Sequence, residues 1–280
     1  MDSIFGYMED YDYENLFLCQ DRALGFKAVT AIHDTTLGPA TGGCRMWQYQ
    51  SEAEAMADAL RLARGMTYKY AAAGVNFGGG KTGIWGDPDR QGRESVFRVL
   101  GKFVNRLEGK SITGEDVGTT LRDMEYIRME TPYVVTLPTY LGGVDDIAPM
   151  TAFGTLQAMR ACAKEVFGTD DLEGRTVAVQ GLGAVGSQVA KQLIENKARV
   201  TVTDIREERV RQIAKEFGAR AVPPQDIYNL EVEIYSPCAL GATLNDATRN
   251  KVKCRIIAGC ANNQLKEERH GAVLKEMGIL

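Results

Sequence analysis

Two lysines, Lys69 and Lys81, flank the Ala- and Gly-rich stretch from Tyr70 to Gly80. Glycine runs let backbone approach a ligand closely. Two lysines brought together in a buried cleft would disfavour each other's charge. Repulsion and desolvation both ease deprotonation, which is how a lysine becomes a base near neutral pH. Downstream, Thr113-Gly114-Glu115-Asp116-Val117-Gly118 offers two acids in a glycine-framed turn after a strand. Taken singly, each of these groups is more often a surface charge than a catalyst, and spacing alone leaves their convergence open.

A second constellation is more specific. The apolar run TVAVQ leads directly into Gly181-Leu182-Gly183-Ala184-Val185-Gly186, which opens a helical pattern. Strand, G-x-G-x-x-G and helix in that order is the context that makes this motif a dinucleotide fingerprint. Gly181 permits the tight turn, Gly183 lets a pyrophosphate reach the backbone, and Gly186 allows close helix–strand packing. The free N–H groups around Ala184 and Val185 then meet the phosphate charge. Asp204 ends the next strand, where an acid accepts hydrogen bonds from ribose hydroxyls and repels a 2′-phosphate. NAD is therefore expected over NADP, with Arg206 the one nearby residue that could soften the preference.

These groups need elements to hold them. In the first half, Gly25 to Asp34 alternates like a strand. Ser51 to Lys69 reads as an N-capped helix with Met56, Leu60, Ala63 and Met66 as its buried stripe. Glu94 to Leu107 and Leu121 to Met129 read as further helices, and Thr131 to Gly143 as an interdomain passage rich in Pro and Gly. The second half alternates regularly. Met150–Phe167, Ala184–Glu195 and Glu207–Phe217 are helices. Arg175–Gln180, Arg199–Asp204, Glu231–Ser236 and Arg255–Ala258 are strands. That alternation predicts a parallel sheet with right-handed crossovers. The expected fold is α/β in two domains, residues 1–134 and a doubly wound Rossmann-type domain over residues 135–280, with a cleft between them.

Composition narrows the function classes. In 280 residues, 44% are hydrophobic and 25% charged, as in ordinary globular proteins. A net charge of −4 argues against nucleic acid as the main partner. The six cysteines are scattered without C-x-x-C spacing, unlike a disulfide framework. No signal peptide is visible, and no apolar run reaches a membrane span, so a cytoplasmic protein is expected. His33 and His270 are far apart and in no ligand-spaced pair, so no metal site is expected. His33, ending a strand-like run, reads as structural.

With these residues in place, the chain resembles the glutamate/leucine/phenylalanine/valine dehydrogenases, nearest to the leucine and phenylalanine branch. The resemblance runs through Ala31–Pro39, Gly42-Gly43-Cys44-Arg45-Met46, Gly65-Met66-Thr67-Tyr68-Lys69, Gly78 to Lys81 and Gly114 to Thr119. It continues through the nucleotide fingerprint to Ser236-Pro237-Cys238-Ala239-Leu240-Gly241 and Ala261-Asn262-Asn263-Gln264-Leu265. It implies reversible oxidative deamination of an amino acid to a 2-oxo acid and ammonia, by a homo-oligomer assembled through its first domain. It also implies roles. Lys69, with backbone around Gly42, holds the substrate carboxylate. Lys81 activates the water that attacks the iminium carbon, and Asp116 exchanges protons with the substrate nitrogen. Cys238, Ala239 and Asn262 lie on the cofactor side, Asn262 also near substrate.

Thr41, Met66 and Gly114 fall in the implied side-chain pocket. The glutamate branch carries a lysine where this chain has Thr41. A buried substrate carboxylate would find no compensating charge there, and leaving it unpaired is costly. An apolar or aromatic amino acid is expected, with leucine, valine and phenylalanine all open. Gly114 is expected to leave extra room. The resemblance also implies more chain after Gly278-Ile279-Leu280, in a segment that completes the pocket. The alternative expectation is therefore an NAD-binding protein impaired in turnover. A third reading, a hydroxy-acid dehydrogenase, is opposed by the paired lysines.

Overall fold

The computed structural model describes residues 3–280, which form two compact units that divide between Asp146 and Ile147. The Pro- and Gly-rich run Thr131 to Gly143 belongs to the first unit.

The first unit holds the short helix α1 (Ile4–Asp10) and strands β1 (Asn15–Asp21), β2 (Phe26–Asp34), β3 (Ala40–Trp47), β4 (Gly78–Trp85) and β5 (Ser111–Glu115). Its longer helices are α2 (Glu52–Ala73), α3 (Arg93–Arg106) and α4 (Leu121–Arg128). The sheet order is β1-β2-β4-β3-β5, with β1, β2 and β4 antiparallel in turn and β3 parallel to both β4 and β5. Helix α2 starts where Ser51 accepts the Glu54 N–H and stops at Gly74 in the left-handed region. It buries Ala55, Ala59, Leu60 and Ala63 against Val29 and Ala31 of β2. The three alanines let the helix lie close to the sheet. The opposite sheet face carries Cys44, Met46 and Ile84, packed against Val96, Phe97 and Leu100 of α3 and Met124 and Ile127 of α4.

The second unit holds helices α5 (Ala148–Phe167), α6 (Ala184–Glu195), α7 (Glu207–Phe217) and α8 (Arg269–Glu276). Its strands are β6 (Thr176–Gln180), β7 (Arg199–Thr203), β8 (Arg220–Ala221), β9 (Ile234–Pro237) and β10 (Ile256–Ile257). All pair in parallel in the order β10-β9-β6-β7-β8. Counted from its own first strand that is 3-2-1-4-5, the doubly wound order of dinucleotide-binding folds. Val177 and Val179 of β6 pack on the side of Met159, Val189 and Leu193. Ala178 faces the other side, toward Tyr235, Leu244 and Leu274. Among the described residues, no helix is long and apolar enough to cross a membrane.

Candidate active site

The first unit's chemistry is built on β3, β4 and the turn after β5. Lys81 Nζ lies 2.8 Å from Asp116 Oδ2, and Arg45 Nε donates to the same oxygen at 3.0 Å. The Lys81 and Arg45 side chains are each 5% exposed and that of Asp116 12%, so the cluster is nearly dry. Burial alone would push the Asp116 carboxyl up, but Lys81 and Arg45 outweigh it and hold the group at about 2. The turn is fixed by Thr119, whose Oγ1 accepts the Asp116 N–H at 2.9 Å and donates to the Cys44 carbonyl at 3.0 Å. Gly43 makes room for it, because a Cβ there would stand 2.7 Å from Asp116 Cβ.

The lysine pair expected from the sequence takes a different form. Lys81 is buried against the Asp116 carboxylate, whereas Lys69 sits on the exposed part of α2. Thr41 is buried on β3 opposite Gly79 of β4 and Ile112 of β5, its hydroxyl donating to the Pro39 carbonyl at 3.2 Å. Gly42 approaches the Gly80 carbonyl so closely that any side chain would collide with it, and Met66 Cγ covers the same spot. The room expected at Gly114 is already filled. A Cβ there would meet Thr136 Oγ1 at 2.8 Å and Val135 Cγ2 at 3.0 Å, because the chain after α4 folds back beside β5.

In the second unit, the candidate cofactor residues follow the carboxyl ends of adjacent parallel strands. Gly181–Gly186 follows β6, Asp204 follows β7, Cys238 and Ala239 follow β9, and Asn262 follows β10. Ligands of doubly wound sheets bind along that edge. The glycines differ in what surrounds them. Gly181 has φ +96°, and a Cβ would lie 2.7 Å from Ala239 N. A side chain on Gly186 would strike the Gly181 carbonyl. Gly183, the N-cap of α6, has open space, with Arg209 Nη1 the nearest atom at 4.0 Å. Open space at the start of a helix with no side-chain cap suits a pyrophosphate. Asp204 accepts the Leu182 N–H at 2.6 Å and the Arg206 N–H at 2.7 Å, one on each carboxylate oxygen. It thereby ties the glycine turn to β7 and keeps lone pairs for ribose hydroxyls. These residues fit a dinucleotide.

Sequence reasoning passed over the support of Asp116. Arg45 Nη1 donates to Asp58 Oδ1 at 3.3 Å and Oδ2 at 3.0 Å, and Tyr49 OH donates to Asp58 Oδ2 at 2.9 Å. An arginine directly after a Gly-Gly-Cys run, with an acid and a tyrosine nearby, was the available signal. Glu115 was passed over too. Burial, then Asp146, Asp123 and Asp116, raise it to about 7, and its Oε2 is buried with no hydrogen-bond partner. His33 has both ring nitrogens occupied, one by Thr67 Oγ1 at 2.9 Å and one by the Tyr11 carbonyl at 3.0 Å. Asp246, Glu267 and His270 also converge, but Arg269 bonds both carboxylates, as in an ion-pair cluster.

Residues 18–133 match the family model described as Glu/Leu/Phe/Val dehydrogenase, dimerisation domain. Residues 142–207 match that described as Glutamate/Leucine/Phenylalanine/Valine dehydrogenase. The chain is 54% identical over 277 residues to a leucine dehydrogenase of Bacillus subtilis (strain 168), covering 99% of this chain and 76% of that protein. It is 45% identical over 274 residues to a phenylalanine dehydrogenase of Caldalkalibacillus thermarum (strain TA2.A1), covering 96% and 74%. The crystal structure of L-tryptophan dehydrogenase from Nostoc punctiforme is similar with a TM-score of 0.73 at 40% identity, over 99% of this chain and 79% of that one.

Proposed function

The chain belongs to the Glu/Leu/Phe/Val dehydrogenase family and is an amino-acid dehydrogenase for apolar substrates, and on that premise we propose that it uses NAD, with Lys81 and Asp116 at the reacting atoms. The observation that carries this reading is the buried Lys81–Asp116 pair beside a glycine-cleared backbone. NAD, when bound, supplies the hydride acceptor. Gly181, Gly183, Ala184, Val185 and Gly186 would hold its pyrophosphate and Asp204 its adenosine ribose. Cys238, Ala239 and Asn262 would line the nicotinamide side.

Lys69 and backbone near Gly42 bind the substrate carboxylate. Asp116 takes a proton from the substrate nitrogen, and Lys81 activates the water that adds to the iminium carbon. Thr41 and Met66 line the side-chain pocket with Gly114 beneath it, and none of the three offers a positive charge to a glutamate side chain. We also place the enzyme in the cytoplasm as a homo-oligomer. The dimerisation-domain match over residues 18–133 supports self-association.

The test is NADH formation from L-leucine, L-valine, L-phenylalanine and L-glutamate at alkaline pH, beside an NADH-binding titration. Turnover is expected with at least one apolar amino acid and at background level with glutamate. Lys81→Ala is expected to lower kcat by about 10²–10⁴-fold while still binding NADH. A variant as fast as the unmodified enzyme would remove Lys81 from the mechanism. NADH binding without turnover on any substrate would sink the catalytic reading.

A further inference from the structure

The Lys81–Asp116 pair stands on a second layer of charge. Arg45 spans two carboxylates, using Nε for Asp116 at 3.0 Å and Nη1 for Asp58 at 3.0 Å. Its guanidinium is a planar fork with donors in fixed directions, so bonding at both ends sets where it lies. Tyr49 OH adds a third hydrogen bond at Asp58 and fixes that end further. Arg45 comes from β3, Asp58 from α2 and Asp116 from the turn after β5, so three elements are locked together at one buried cation.

Resting on the reading of Lys81 and Asp116 given above, we propose that Arg45, held by Asp58 and Tyr49, is a positioning residue that fixes Asp116 and sets how tightly the Lys81–Asp116 pair holds its proton. Two coupled groups titrate as a pair. The pair shares one proton, and it must release that proton before Lys81 can act as a base. The Arg45 charge, on the same Asp116 oxygen as Lys81, disfavours the protonated pair. The Asp58 charge on the far side of Arg45 partly cancels that influence. Several other groups surround the pair. They are Cys44 on β3, Tyr49 after it and Glu115 on β5, with Asp123 on α4 and Asp146 beyond Glu115, while α2 also carries Lys69. Neutralising Arg45 or Asp58 leaves all of these in place.

The two neutral variants should therefore move the acidic limb of the kcat/KM profile in opposite directions. Arg45→Gln removes a positive charge, and its limb is expected about one pH unit higher. Asp58→Asn keeps the shape, leaves Arg45 less compensated, and should move the limb lower. The double variant should return close to the starting position. Arg45→Lys keeps the charge but cannot reach both carboxylates, so its limb should stay while kcat falls. A ¹³C titration of the Asp116 carboxyl, assigned with Asp116→Asn, should move with the same signs.

Opposite shifts support the proposal, and limbs that stay put or move together overturn it. If Arg45→Gln does not fold, Asp58→Asn decides alone, with a lower limb in support and any other result against. Lys81→Ala and Asp116→Asn are run in parallel. Full activity in those variants removes the reading of the reaction itself, whereas loss of activity with unmoved limbs removes only the role of Arg45.

Discussion

The Gly78–Gly80 run in β4 and the Gly181–Gly186 turn after β6 look alike as sequence, and they differ in what occupies the space their missing side chains leave. In β4 that space is filled by protein. A side chain on Gly78 would strike the Asp34 carbonyl, and one on Gly79 would strike Thr67 Oγ1 and the Ala63 carbonyl of α2. In the later turn, Gly181 and Gly186 are closed in the same way, but Gly183 between them faces open space. The first run lets a helix sit tightly on a sheet and bury charged groups. The second leaves one gap for an outside group. Glycine content alone does not distinguish a packed site from a binding site; the contents of the space beside it do.

The largest expected effect comes from filling a closed position. Gly79→Ala forces α2 away from β4 and should cost about 1–3 kcal/mol or more, a fall in melting temperature of roughly 2–10 °C. Gly186→Ala should behave alike, losing stability and NADH affinity together. A melting curve for Gly79→Ala that overlays the unmodified one would refute the claim that β4 is glycine-rich because α2 presses on it.

The open position gives the second test. Gly183→Ala adds a methyl group with no protein atom nearer than 4.0 Å, so the melting temperature of the unliganded protein should barely change. NADH affinity should fall about tenfold, since the methyl enters the space assigned to the pyrophosphate. A titration showing unchanged affinity would mean that the gap is not the phosphate site and would collapse the contrast between the two runs.

The same contrast explains what the sequence made legible. In the second unit, strands and helices alternate, so β6, α6, β7 and α7 are readable from apolar periodicity, and the glycine fingerprint sits between two of them. The two-residue strand β8 and the helix α8 fell below that signal. In the first unit, Gly78 to Trp85 carries four glycines in eight residues, a composition depleted in strands. It forms a central strand only because α2 and the neighbouring strands need its bare backbone, a long-range requirement invisible locally. The Arg45–Asp58 link is invisible for a related reason. It joins a strand to a helix across a buried face, so the arginine after Gly-Gly-Cys could draw attention while its partner could not be read locally.

Closure has a further consequence for charge, and it gives the smallest of the expected effects. Glu115 and Asp116 are neighbours in sequence and differ in what burial leaves around them. Asp116 meets two cations, whereas Glu115 meets Asp146, Asp123 and Asp116. Asp116, at about 2 in the folded protein, contributes stability above its ordinary value near 3.8 that is lost as pH falls toward 2. Glu115, raised from its ordinary 4.5 to about 7, has the reverse sign. The fold favours its protonated form, so stability present below about pH 4.5 is lost as pH rises to about 7 and stays lost above that. Glu115→Gln keeps the shape without the charge and should remove this decline. Because Glu115 is partly solvated, the difference should be only about 1–2 °C in melting temperature. Melts of both proteins between pH 4.5 and 8 measure it, and the unmodified protein should lose more than the variant across that interval. Parallel curves would show that burial and the neighbouring acids do not hold the Glu115 carboxyl above its ordinary value.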